Sequence, residues 1–134
     1  MRAARILAVN LWDGKVLNIV TSIIIAIIAL LHICFLLLEM FLWDKPIGLK
    51  VFGQTPEEAS TSKALAANQG LYNGFLAAGL MWGLILGAEG EAIKIFFLTC
   101  ILIAGIFGAA TASRTILFVQ AIPAAIGLIL ILLS

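Results

Sequence analysis

His32 is the only histidine in the chain, and Glu39 follows it seven positions later. Imidazoles and carboxylates are the side chains that most readily pass protons in catalysis. Further on, Asn68, Gln69, Tyr72 and Asn73 place three amides and a phenol within a short run, and Arg114 and Gln120 add a cation and a further amide. Such groups can hold the polar end of a small molecule through hydrogen bonds. With His32 and Glu39 as acid and base they could also move a proton on and off it, as an isomerisation requires. No nucleophile constellation, phosphate-cradling loop or metal-ligand spacing accompanies them, so neither a cofactor nor a metal is expected.

The solvent in which these residues must work follows from composition. The 134-residue chain is 63% hydrophobic and 11% charged, with a mean hydropathy of +1.20. Soluble domains are nearer half apolar and a quarter charged, so lipid is the natural solvent. A net charge of +1 offers no basic field for nucleic acid. Cys34 and Cys100 stand alone in separate apolar segments and read as buried thiols behaving as small hydrophobes.

The spacing predicts a single all-α membrane domain over residues 1–134, a four-transmembrane-helix antiparallel bundle. Its spans fall at about 16–43, 56–88, 92–112 and 116–133. The basic opening "MRAARILAVNLWDGK" leads into an apolar run that continues to Trp43, which reads as a retained first helix rather than a cleaved signal. "DKP" stops that helix, and residues 44–55 read as a polar loop. "TPEE" at 55–58 is a helix start, with a capping threonine, a first-turn proline and two acids at the positive helix end. "EGE" closes the second helix, "SRT" makes a tight turn before the fourth, and Pro123 is expected to bend that last span. Gly70 with Gly74, and Gly79 with Gly83 and Gly87, repeat at the GxxxG spacing. That spacing serves close packing within the bundle or, alternatively, a homodimer face. Arg2, Arg5, Lys15 and Lys94 flank the N-terminal face, here side A; Lys45, Lys50, Lys63 and Arg114 flank the opposite face, side B. The charge balance therefore sets no orientation.

Antiparallel spans allow depth to be read from sequence. His32 lies eleven residues in from Trp43, about 16 Å at 1.5 Å per residue, near mid-bilayer. Glu39 lies one turn inside Trp43, on the same helical stripe as His32. Asn68, Gln69, Tyr72 and Asn73 occupy the first turns after the second helix enters from side B, and that polar arc is continued deeper by Gly79 and Gly83. Arg114 and Gln120 belong to the same side, whereas the side-A half reads as an aliphatic plug. The expectation is a polar pocket open toward side B, with His32 at its floor and a groove along the glycines.

Each residue also has an ordinary reading. A lone histidine can be a hydrogen-bonded core residue, and Glu39 can snorkel to the interface. The amide cluster can tie helices together, and Arg114 can anchor to lipid phosphate. Four polar residues on one face beside glycines exceed what helix ties need, so a site for a small amphipathic or lipid-like molecule is the favoured expectation. The alternative is a proton-coupled small-molecule transporter with Glu39 as its titrating carboxylate. The aliphatic side-A half argues against it, because a pathway needs polar access on both faces.

"HICFLLLEMFLW" (32–43), "ANQGLYNGFLAAGLMWG" (67–83) and "IFGAATASRTILFVQAIPA" (106–124) closely resemble a family of small bacterial integral membrane proteins, domain of unknown function 1304. The resemblance spans nearly the whole chain. It implies four membrane helices, residence in the bacterial cytoplasmic membrane and no established activity, although some members carry the label "epimerase".

Overall fold

The computed structural model describes residues 2–134, with side chains described from Gly14 onward. Arg2 and Arg5, counted above on side A, therefore lie outside the described side chains. Every described element is helical: α1 (Arg2–Met40), α2 (Pro46–Phe52), α3 (Pro56–Ile85), α4 (Glu91–Thr111), then a π-helical stretch Leu117–Ala121 that runs into α5 (Ile122–Leu133). Among the described residues two helical segments, Gly14–Met40 and Glu91–Thr111, are long and apolar enough to cross a membrane. Leu117–Leu133 is apolar but shorter.

Local chemistry sets most of these boundaries. Thr55 caps α3 reciprocally: its Oγ1 accepts from the Glu58 backbone N–H at 3.2 Å, and the Glu58 carboxylate accepts from the Thr55 N–H at 2.8 Å. α3 ends at Ile85 rather than Ala88 because Gly87 takes a left-handed φ of 63°, which glycine alone adopts without strain. Residues 44–55, expected as a loop, contain α2. Pro46 suits its first turn and Gly53 its left-handed end, and a seven-residue helix is too short for hydrophobic periodicity to reveal. The bend expected at Pro123 takes the form of the π-helical stretch, in which the Ile122 N–H reaches back five residues to the Leu117 carbonyl. Proline removes the next N–H from the ladder, and a widened turn accommodates the loss.

The helices pack through small residues. α3 lies against the end of α1, where a side chain at Gly70 would meet Met40 Cγ at 2.6 Å and Glu39 Cβ at 3.1 Å. Deeper in the same helix, Gly79 meets the Phe97 ring and Gly83 the Lys94 stem, both on α4. A Cβ on Gly105 of α4 would lie 2.7 Å from the Ala121 nitrogen. A cluster of Ile25, Ile28, Ala29, Leu80, Leu98, Ile101, Ala124 and Ile131 joins α1, α3, α4 and α5. Most other large apolar side chains point outward, Ile27, Leu30, Phe107 and Phe118 among them. Cys34 does too, so the expectation of two buried thiols fails there: its position on α1 faces away from the other helices.

The α1–α3 connection is tied at its polar end. Lys63 donates to Asp44 at 2.7 Å, Trp43 Nε1 donates to Ser62 Oγ at 3.1 Å, and Gln54 donates to the Trp43 carbonyl at 3.2 Å. The Lys63 hydrogen bond, helped by the charges of Lys45 and Lys63, outweighs desolvation and holds the Asp44 carboxyl below its ordinary value. A carboxyl so depressed stabilises the fold fully above its ordinary range and loses that contribution as pH falls through the lowered value. Amide protection factors at residues 42 and 45 are thus expected to hold from neutral pH down to about pH 5 and then decline. Lys63→Met should abolish this step, and a step that survived the substitution would assign the titration to another group.

Candidate functional site

The glycine contact at the end of α1 builds the first part of the site. With no Cβ at Gly70 or Gly74, α3 approaches until Asn73 Nδ2 donates to Glu39 Oε2 at 2.7 Å. Both residues are half-buried. An amide donor in apolar surroundings fixes the direction of the carboxylate and leaves its other oxygen for a further partner.

His32 lies two turns deeper on α1 and is fully buried. Its Nδ1 is 2.8 Å from the Ile28 carbonyl, which can only accept, so Nδ1 carries the proton and donates. In the neutral ring Nε2 is then a bare acceptor, and it has no partner among the described residues. The Phe35 ring stands edge-on, with centroids 6.1 Å apart and planes at 87°. Buried polar atoms are nearly always satisfied, so an orphaned ring nitrogen at this depth calls for an occupant or a task.

The amide cluster divides. Tyr72 is two turns from Gly79 on the same face of α3, the face that meets α4 through Phe97 and Lys94. Yet Tyr72 is 57% exposed, and Asn68 and Gln69 are exposed as well. On α4, Ala104 and Thr111 follow Phe97 at two-turn intervals and are also exposed, while Leu98 and Ile101 are fully buried. Helices α3 and α4 therefore cover one another at Gly79 and Gly83 and leave each other uncovered toward side B.

Several expectations change accordingly. The groove expected along Gly79 and Gly83 is a filled seam, because Phe97 and the Lys94 stem occupy it. Of the four cluster residues only Asn73 reaches Glu39; Asn68 donates back to its own helix at Ala64, 3.0 Å away, and Tyr72 lies beside Phe75. Arg114 is exposed and forms no ion pair with Glu39 among the described residues, where the Asn73 amide takes that role. Gln120 is half-buried, one turn from the fully buried Ala124. The side-A half is not wholly aliphatic: Asn18, Ser22, Glu91 and Lys94 line a cavity there. Sequence held one signal of it, since Asn18 and Ser22 share a face of α1 at i, i+4.

Comparison with known proteins gives a family without an assigned function. A family model described as a protein of unknown function (DUF1304) matches residues 26–132. The uncharacterized protein YpaA of Lactococcus lactis subsp. lactis (strain IL1403) is 29% identical over 107 residues, covering 78% of this chain and 89% of the relative. No solved structure matches the chain.

Proposed function

The chain belongs to the DUF1304 family, whose function is unknown, and we propose that it is an integral membrane protein that seats the polar end of a small amphipathic or lipid-like molecule near Glu39 and His32. Four helical segments, α1, α3, α4 and the Leu117–Leu133 run, would cross the bacterial cytoplasmic membrane as an antiparallel bundle. The outward-pointing Ile27, Leu30, Phe107 and Phe118 support this, because so much exposed apolar surface suits lipid rather than water. Paired contacts support the direction of α3 against α1: Met40 of α1 meets Gly70 of α3 and Leu36 meets Gly74, so residue numbers rise on one helix as they fall on the other.

The observation that carries the reading is the buried Nε2 of His32, without a partner among the described residues, on the Glu39 stripe of α1. A hydroxyl or acidic C–H of a bound molecule would supply the missing partner. Glu39 lies about 10 Å from His32 along the axis, so the two would act from opposite ends of that molecule. Gln69 and Tyr72, uncovered where α4 leaves α3, would line the approach, with Gln120 and Arg114 at its rim. Acid–base isomerisation is the chemistry this pair suits.

Transport with Glu39 as proton carrier is the second reading, and the polar side-A cavity gives it a counterpart on the far face. The apolar cluster of Ile25, Ile28, Leu80, Leu98 and Ile101 lies between the two ends and would have to part. A binding site closed from below fits that arrangement better.

Thiol labelling tests the approach. In a Cys34→Ala, Cys100→Ala background, Gln69→Cys and Tyr72→Cys are expected to react with a membrane-impermeant maleimide added from the side of the 41–55 turn. Ala77→Cys, at a buried position, should stay unlabelled from both sides. No labelling of Gln69→Cys would defeat the side-B approach. Labelling of Ala77→Cys from both sides would favour transport.

A further inference from the structure

Opposite the Glu39 end, three cavities adjoin along the seam between α1 and α3. One of about 480 Å³ is lined by Asn18, Ser22, Glu91 and Lys94. A second, of about 520 Å³, shares Asn18, Ser22 and Leu84 with it and reaches Ala26. The third, of about 320 Å³, shares Ala26 and Leu84 with the second and continues to Ile33 between almost wholly apolar walls. Leu84 borders all three, so together they form one groove that is polar at the helix ends and apolar toward mid-bilayer. From Ser22 to Ile33 it runs about 16 Å along α1, roughly half the hydrocarbon thickness, or one leaflet.

The polar end carries both signs of charge. Glu91 and Lys94 are three residues apart on the first turn of α4 and line the same cavity. The Lys94 ammonium is already positioned by donating to the Gly87 carbonyl at 2.9 Å, and it retains further donors. Asn18 and Ser22, one turn apart on α1, have no side-chain hydrogen-bond partner among the described residues. A ligand that matches this end has an anionic group for Lys94, an ammonium for Glu91 and a tail for the groove below.

We propose that this groove binds one ethanolamine-type zwitterionic phospholipid. Its phosphate sits at Lys94 with Asn18 and Ser22, its primary ammonium sits on Glu91, and one acyl chain lies along the α1–α3 seam as far as Ile33. A purely anionic headgroup would leave Glu91 unpaired beside the phosphate, so discrimination comes from repulsion as well as attraction. This site lies at the other end of α1 from Glu39 and does not depend on the function proposed there.

Native mass spectrometry of the full chain, released from micelles containing equal dioleoyl phosphatidylethanolamine and dioleoyl phosphatidylglycerol, tests it. One phosphatidylethanolamine per chain is expected to be retained over phosphatidylglycerol by about tenfold, as a hydrogen-bonded charge pair provides. Glu91→Gln should erase that preference. Ala26→Phe and Leu30→Trp each fill the groove from exposed positions of α1, and should lower phosphatidylethanolamine occupancy by about tenfold while leaving the melting temperature near that of the wild type. Equal retention of the two lipids by the wild type would overturn the headgroup assignment. Full occupancy in both groove-filling variants would overturn the site, and loss of the adduct in Glu39→Gln would move the lipid to the other end.

Discussion

Gly90→Leu is expected to remove more than about 3 kcal/mol of stability, enough to leave little folded protein. At the start of α4, a Cβ on residue 90 would run into the carbonyl group of Gly83 on α3. Both partners are backbone, so neither can rotate away, and α3 and α4 can only separate. That separation would uncover Leu80, Leu98 and Ile101, which are fully buried where the helices meet. Gly74→Ala provides the contrast. Its added methyl meets the tip of the Leu36 side chain at 2.5 Å, a flexible group that can shift, so a loss within about 1 kcal/mol is expected. The fraction of each variant that survives graded heating in detergent, read by size-exclusion chromatography, ranks the two. Equal survival would mean that the α3–α4 approach at Gly83 is looser than the structure places it.

The second large effect is expected at His32, with opposite signs for binding and stability. Replacing His32 with leucine removes a buried nitrogen that has no partner among the described residues, and an unsatisfied buried group costs about 1–3 kcal/mol. The substitution also loses the Nδ1 bond to Ile28, worth about 1 kcal/mol, so the fold should be unchanged or modestly stabilised. Retention of a small molecule that co-purifies with the protein, quantified after solvent extraction, should nevertheless fall by about tenfold or more. A local rule broken without structural benefit is what a functional position looks like. If His32→Leu instead lost about 3 kcal/mol with retention unchanged, the imidazole would be a structural residue and the proposed chemistry would fall.

The capping Thr55 was readable in sequence because capping acts within a single turn of chain, whereas Gly87, read only as part of a glycine repeat, ends α3 through its left-handed φ. That His32 and Glu39 share one stripe of α1, two turns apart, followed from helical rise and periodicity alone. What the sequence left open was which neighbour each face meets. Asn68, Gln69, Tyr72 and Asn73 look equivalent along α3, yet the tertiary structure hands Asn73 to Glu39 and leaves the other three uncovered. Gly79 and Gly83 read as a groove until α4 is placed against them.

Composition and period by themselves thus determined an all-helical chain with segments fit for lipid, the approximate limits of its long helices, and the stripe of α1 that His32 and Glu39 share. Only the tertiary structure decided that Glu39 bonds Asn73 rather than Arg114, that Nε2 of His32 has no partner among the described residues, and that Asn18 and Ser22 share a cavity with Glu91 and Lys94. The physical reason is range. Helix formation, capping and periodicity are interactions over a few residues, whereas exposure and pairing depend on packing between distant segments, 34 positions apart for Glu39 and Asn73 and some seventy for Asn18 and Glu91.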